Sequence, residues 1–239
     1  MATVTPEAGD YDAYAGQYAA NVAWREQGGV DGDPFGLLPP LLKLLADIGG
    51  CPVLDAGCGE GYLARVLAAR GAQVTGIDIS PRLIELARAK DPGGDYRVAD
   101  LSQPVPGTAG CFDAAASYLA LNDVKDYRGF AATLATSLKP GGRLALALNN
   151  PYSAVIDRHV IDYFDSGKAS PYRGLWEAGI KTYYYHRTLE NYLDAFLATG
   201  LHLTKLTDIP ALANAHRRDA SLPDGARFPR FMLLAFIKP

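Results

Sequence analysis

V-L-D-A-G-C-G-E-G-Y, Val53 to Tyr62, is the stretch around which the chain is organised. Two apolar residues run into an acidic one, three glycines alternate with larger residues, and a helical pattern then begins. The pattern predicts a buried strand, a tight glycine loop and a helix start. In an α/β sheet such a loop lies at the carboxyl edge of the strands, where ligands bind. Gly57, Gly59 and Gly61 permit positive φ and close approach of a ligand. Free N–H groups at the helix start favour an anionic group such as a carboxylate. A plain strand-to-helix turn has no need of three glycines and an Asp in so few residues.

Outward from this loop, strands and helices alternate. Pro52 to Ala56 is the first strand, and Glu60 to Arg70 a helix with Leu63, Val66 and Leu67 on its apolar side. Gln73 to Ile79 is the second strand. Ser80 then suits an N-cap and Pro81 the first helical position. Tyr96 to Ala99 and Phe112 to Tyr118 are the third and fourth strands. Asp126 to Lys139 is a helix stopped by Pro140-Gly141-Gly142, and Arg143 to Leu148 the fifth strand. Residues 149–187 then lose regularity and gather aromatics. That is too long for an ordinary connection, and implies a functional cap or small helices of its own. Thr188 caps a helix from Leu189 to Thr199, Leu201 to Ile209 is a sixth strand, and Phe231 to Ile237 a seventh. The expected fold is α/β: a doubly wound, seven-stranded, mainly parallel sheet, its last strand antiparallel and inserted at one edge. Residues 1–239 read as one domain, with an N-terminal lid over 1–34 and a cap insertion over 149–187. Within the lid, Tyr11, Tyr14 and Tyr18 share one helix face. They form either a packing stripe or a lid whose hydroxyls reach a polar ligand. Phe35 to Ile48 is a further helix.

Bulk properties exclude several classes. In 239 residues the hydrophobic fraction is 49% and the formal charge is -3, so no broad nucleic-acid or anionic-membrane surface is expected. No apolar run approaches the roughly 18 residues of a membrane span. The first ten residues lack the basic region and apolar core of a signal peptide. Cys51, Cys58 and Cys111 show neither a disulfide framework nor metal-site spacing, and four scattered histidines give no zinc signature. Reduced thiols in a cytoplasmic protein are the expectation.

The loop spacing narrows the ligand. G-x-G-x-G departs from the dinucleotide pattern G-x-G-x-x-G, and no phosphate-binding G-x-x-x-x-G-K-[ST] occurs. Asp78 lies at the tip of the second strand, about 20 residues past the loop, where a carboxylate accepts both hydroxyls of a ribose. Asp100 ends the third strand, where it suits an adenine amino group. Tyr118-Leu119-Ala120 gives the fourth strand an apolar tip. Acids at consecutive strand tips beside a glycine loop exceed what sheet-edge solvation requires.

These residues resemble the class I S-adenosylmethionine-dependent methyltransferases. V-L-D-A-G-C-G-E-G is similar to their first motif, G-I-D-I-S to the second-strand motif and V-A-D-L to the third. F-D-A-A-A-S-Y-L-A-L-N-D and L-K-P-G-G-R-L resemble the fourth-strand motif and the turn before the fifth. The resemblance is good over about residues 35–150. It implies S-adenosyl-L-methionine as cofactor, its methionine part held by Asp55, Gly57, Cys58 and Gly59. It puts the ribose on Asp78, the adenine against Ile79, Asp100 and Leu101, and Tyr118 and Leu119 near sulfonium or adenine. Tyr11 and Tyr18 match a lid closing over the cofactor carboxylate. Relatives often carry His where Asn122 stands and a His-Pro pair near Asn149-Asn150-Pro151, so no catalytic residue transfers at either place.

The implied activity is methyl transfer to an N or O atom of a small molecule, in a setting such as secondary metabolism. The alternative is a cofactor-binding protein of this fold that does not methylate, a sensor or a cyclisation scaffold. A base is needed only if the acceptor loses a proton as it attacks. Candidates in the cap are His186, ranked first because an imidazole is the side chain suited to base work near neutral pH, then His159, with Asp157, Asp162 and Tyr185 behind them. Partners are expected to be a small-molecule acceptor and, through lid or cap aromatics, a second copy as a homodimer; no nucleic acid and no membrane is expected.

Overall fold

The computed structural model describes residues 9–23, 33, 35–156, 160, 162–167, 169–171, 179–180, 182–210 and 229–239. Its strands are β1 (Pro52–Ala56), β2 (Gln73–Asp78), β3 (Asp95–Val98), β4 (Phe112–Tyr118), β5 (Leu138–Asn149), β6 (Ala169–Pro171), β7 (Tyr183–Tyr185), β8 (His202–Pro210) and β9 (Pro229–Ile237). The helices are α1 (Gly9–Asn21), α2 (Leu38–Leu45), α3 (Tyr62–Ala68), α4 (Pro81–Lys90), α5 (Tyr127–Ser137), α6 (Pro151–Ile156) and α7 (Leu189–Leu197).

Seven strands form one sheet in the order β3-β2-β1-β4-β5-β9-β8. β1 pairs in parallel with β2 and β4, β2 with β3, and β4 with β5. β9 runs antiparallel to both β5 and β8. The last strand therefore lies one place inside the edge, not at it, and β8 is the edge strand. Burial explains the placement: F-M-L-L-A-F-I is buried from Met232 to Phe236, whereas His202 to Lys205 of β8 are exposed.

Strand alternation sorts the core onto two faces. Leu54, Ile77 and Ala115 turn toward α5 and α7, packing with Phe130, Leu134, Tyr192 and Phe196. Val53, Ala114 and Ala145 turn the other way, onto Leu41 and Leu45 of α2 and Leu63 and Leu67 of α3. The helix starts follow their caps. The Ser80 hydroxyl accepts from the Leu83 N–H, and Thr188 and Asn191 form a reciprocal capping box on α7.

Two boundaries differ from expectation. α5 ends at Ser137, and Lys139 to Gly142 already belong to β5. Gly141 N–H donates to Lys238 carbonyl and Lys238 N–H to Gly142 carbonyl, so the turn residues are drawn into the ladder. In the cap, α6 is the small helix expected, but β6 and β7 also make an antiparallel ribbon. Its tyrosine run presents alternate faces, which suits a strand. Among the described residues no helix is long and apolar enough to cross a membrane.

Candidate functional site

The loop after β1 is a backward turn onto the sheet edge. Gly57, Gly59 and Gly61 have φ of +76°, +53° and +82°. The N–H groups of Gly57 and Cys58 both donate to the Ile77 carbonyl, at 2.8 and 3.1 Å. A Cβ on Gly57 would lie 2.3 Å from the Ala120 Cβ, so only glycine lets the loop meet the tip of β4.

A cleft of about 400 Å³ opens above this loop. Gly57 and Gly59, Asp78 and Ile79, Asp100 and Leu101, and Tyr118 and Leu119 bring the ends of four neighbouring strands into it. Asp78 is held on both oxygens, Oδ2 accepting from Gly59 N–H at 2.8 Å and Oδ1 from Ser80 N–H at 2.9 Å. Enclosure raises its pKa, against those backbone donors that lower it. Ile79 leaves 43% of its surface open as an apolar shelf beside it. Asp100 accepts from Ser102 N–H at 2.8 Å, which sets its carboxylate at the loop after β3.

Leu119 adopts φ +59°, a left-handed backbone that costs a non-glycine residue roughly 1–2 kcal/mol. Its N–H is anchored on the Ala147 carbonyl at 2.8 Å. The Tyr118 hydroxyl donates to Asp33 Oδ1 at 2.9 Å. Asp33, buried, also accepts from the Phe35 and Leu38 N–H groups and so joins the start of α2 to the tip of β4.

α1 covers the cleft. The Tyr11 and Tyr18 rings meet edge to face at 5.4 Å, and both line the cavity. The Tyr11 hydroxyl donates to Asp123 Oδ2 at 2.8 Å, and Thr182 faces the same hydroxyl. Burial first, and the Asp123 charge second, push the Tyr11 pKa well above the phenol range, so it stays a donor. One residue on, Asp12 accepts from Ser80 Oγ at 2.6 Å and Arg82 N–H at 2.9 Å, fastening α1 to the start of α4.

Beneath the loop, Asp55 is 1% exposed, and its Oδ2 has no hydrogen-bond partner. Burial, and next the Asp78 carboxylate, push its pKa up to about 8. One oxygen of this buried carboxyl, one layer under the glycine loop, is thus left without a partner.

The comparisons with known proteins agree with this geometry. Residues 54–146 match the family model described as a methyltransferase domain. A solved structure of an S-adenosylmethionine-dependent methyltransferase from Mesorhizobium loti superposes with a TM-score of 0.69, at 27% identity, over 88% of this chain and 100% of that one. Residues 54–146 form a methyltransferase domain of the S-adenosylmethionine-dependent class. A ubiquinone biosynthesis O-methyltransferase from Xanthomonas oryzae pv. oryzae is 39% identical over 108 residues, 44% of this chain and 45% of that protein. A demethylmenaquinone methyltransferase from Tropheryma whipplei is 39% identical over 107 residues, 44% of each chain. The chain thus matches less than half the length of these curated relatives.

Not every expected site residue faces the cleft of the methyltransferase domain. Tyr11, Tyr18, Gly57, Gly59, Asp78, Ile79, Asp100, Leu101, Tyr118 and Leu119 line it. Asp55 lies below it. The Cys58 side chain points into a small core with Ala64, Ile84, Ala87 and Tyr96, and burial raises its thiol pKa, so only its backbone serves the loop. His186 does not match its expected role: it is 2% exposed, with Nε2 2.8 Å from the Tyr163 carbonyl and its ring 5.8 Å from the Tyr163 ring. That placement makes it a packed strut of the cap. His159 and Asp157 lie outside the described residues; Asp162 is exposed and turns its Oδ1 to the Phe164 N–H.

Asp123 and Thr182 are among the cleft residues that escaped the sequence reading. Asp123 adjoins Asn122, which drew attention only as a departure from the family pattern. Asn122 is itself buried, accepting from Asn149 N–H and donating to Tyr192, both at 2.9 Å. The neighbouring acid on the same turn was therefore the available signal.

Proposed function

We propose that this chain transfers a methyl group from S-adenosylmethionine to an oxygen or nitrogen atom of a small molecule. The observation that carries the reading is the convergence of the glycine loop, Asp78, Asp100 and the lid tyrosines on one cleft. The residues present fit the cofactor. The positive-φ glycines let the amino-acid part approach the loop backbone closely, and the carboxyl of Asp55, without a partner on Oδ2, suits the α-ammonium. Asp78, held rigidly by two N–H groups, suits the ribose hydroxyls. Ile79 and Leu101 suit the flat faces of adenine, and Asp100 its amino group.

The cofactor supplies an electrophilic methyl on a sulfonium. What remains for the protein is alignment and exclusion of water, worth on the order of 7–11 kcal/mol for well-oriented groups. Tyr118 and Leu119 would form an apolar wall beside the bound cofactor. Tyr11, Asp123, Thr182 and Tyr183 form the polar wall opposite, where an acceptor hydroxyl or amine is oriented. His159 stays a candidate base. The ubiquinone-pathway relative is named for O-methylation, which supports an oxygen acceptor, and the acidic charge supports a small substrate over nucleic acid. Secondary metabolism in the cytoplasm is the setting we infer.

Calorimetry with S-adenosylhomocysteine tests the cofactor map. Asp78→Ala should weaken binding by more than about tenfold, the loss of a charge-assisted hydrogen-bond pair. Equal affinity of variant and wild type would sink the map. Labelled-methyl transfer to a panel of phenols and amines then tests the activity. A cofactor that binds but labels none of them speaks for a non-methylating role.

A further inference from the structure

Arg187 is a buried cation that the cofactor map does not use. It is 2% exposed. Among the described residues no carboxylate pairs with it. Leaving a guanidinium in the interior without a counter-charge is costly. Here carbonyl dipoles and aromatic faces take that place. Nη2 donates to the Val124 carbonyl and, at 2.9 Å, to the Lys125 carbonyl; Nη1 donates to the Leu121 carbonyl at 3.4 Å. The guanidinium carbon lies 4.4 Å from the Tyr127 ring centroid, 5.1 Å from Tyr185 and 6.0 Å from Tyr192.

These partners have a common geometry. Leu121 to Asp123 is a single 3-10 turn whose Leu121 carbonyl also accepts from Val124 N–H; the Val124 and Lys125 carbonyls follow the turn's C-terminal end. A cation is the favoured group at such an end. The same turn places Asp123, Val124 and Lys125 in the cleft wall. Arg187 itself stands two residues past the end of β7, whose first residue, Tyr183, lines the cleft from the cap side. The rings around it come from β7, α5 and α7.

We propose that Arg187 is a positioning residue: it holds the 121–125 turn at a set distance from β7, and so fixes the spacing between Asp123 and Tyr183 within the polar lining of the cleft. Asp123 and Tyr183 are then oriented by one buried guanidinium. Its three carbonyl bonds reach a turn 62 to 66 residues earlier in the chain. The link to the cleft rests on the methyltransferase reading; the link to the turn does not.

The test compares the full-length wild type, Arg187→Met and Arg187→Lys by native-state hydrogen exchange followed by mass spectrometry. The Asp123 and Val124 amides, which donate to Ala120 and Leu121, report the turn. In Arg187→Met they should exchange at least about tenfold faster, the loss of charge-assisted bonds. Amides of β1 and β4 should keep their wild-type rates, and Arg187→Lys, which reaches fewer carbonyls, should be intermediate. Unchanged exchange at the turn, or equal acceleration throughout the sheet, would overturn the proposal. If Arg187→Met does not fold, the Arg187→Lys comparison is judged by the same pattern. A parallel titration with S-adenosylhomocysteine separates the two readings. A wild type that fails to bind refutes the methyltransferase reading and leaves the exchange result standing. A wild type that binds, with both variants binding equally well, refutes the coupling to the cleft.

Discussion

Replacing Asp55 by Asn should stabilise the free protein, and by an amount that depends on pH. In the unfolded chain this carboxyl titrates near 3.8, whereas in the fold burial and the Asp78 charge move it to about 8. Between those values the folded state holds one proton more than the unfolded state, so stability falls as pH rises. Each pH unit across that window costs about 1.4 kcal/mol. From pH 3.8 to 7 the loss accumulates to about 4 kcal/mol, and it levels off above pH 8. Asparagine has nearly the same shape and no such loss. Urea denaturation at pH 4, 5.5, 7 and 8 measures the difference in unfolding free energy between Asp55→Asn and wild type. It should be near zero at pH 4 and grow to a few kcal/mol by pH 7. A difference that is constant with pH, or that favours the wild type at pH 7, would refute the reasoning. The gain should come with weaker S-adenosylhomocysteine binding, because a site poised for a ligand gives up stability in its absence.

Further predictions probe the same edge of the sheet. Gly57→Ala combines a positive φ with a 2.3 Å approach to the Ala120 Cβ, so it should lower stability by roughly 1–3 kcal/mol and abolish detectable cofactor binding, seen in melting and calorimetry. Tyr11→Phe removes the hydroxyl bond to Asp123 while keeping the ring. Stopped-flow measurement should show S-adenosylhomocysteine leaving several-fold faster, with thermal stability changed little. Thr188→Ala removes one half of the capping box on α7 and should cost about 1 kcal/mol in urea denaturation without changing cofactor affinity.

Much of the fold was legible because its signals are local. β4 runs from Phe112 to Tyr118, the span expected for it, and α4 begins at Pro81 behind the Ser80 cap. The breaks at 140–142 misled: a Pro-Gly-Gly turn reads as a stop, yet a distant C-terminal segment recruits it into β5. The cap was the least readable region, since its order comes from contacts with other elements and not from its own periodicity.

Sequence alone determined the glycine loop, the acids at successive strand tips and the alternation that builds a mainly parallel sheet. Each depends on backbone conformation or on residue spacing within one element, which neighbouring side chains specify. Tertiary structure decided which of those groups meet. It placed β9 between β5 and β8, buried Asp55 beneath the loop, and turned His186 onto Tyr163 and away from the cleft. It also joined Tyr11 to Asp123 across 112 residues of chain. Such pairings follow from how the helices and the cap pack on the sheet, and the direction a side chain takes there depends on partners far away in sequence.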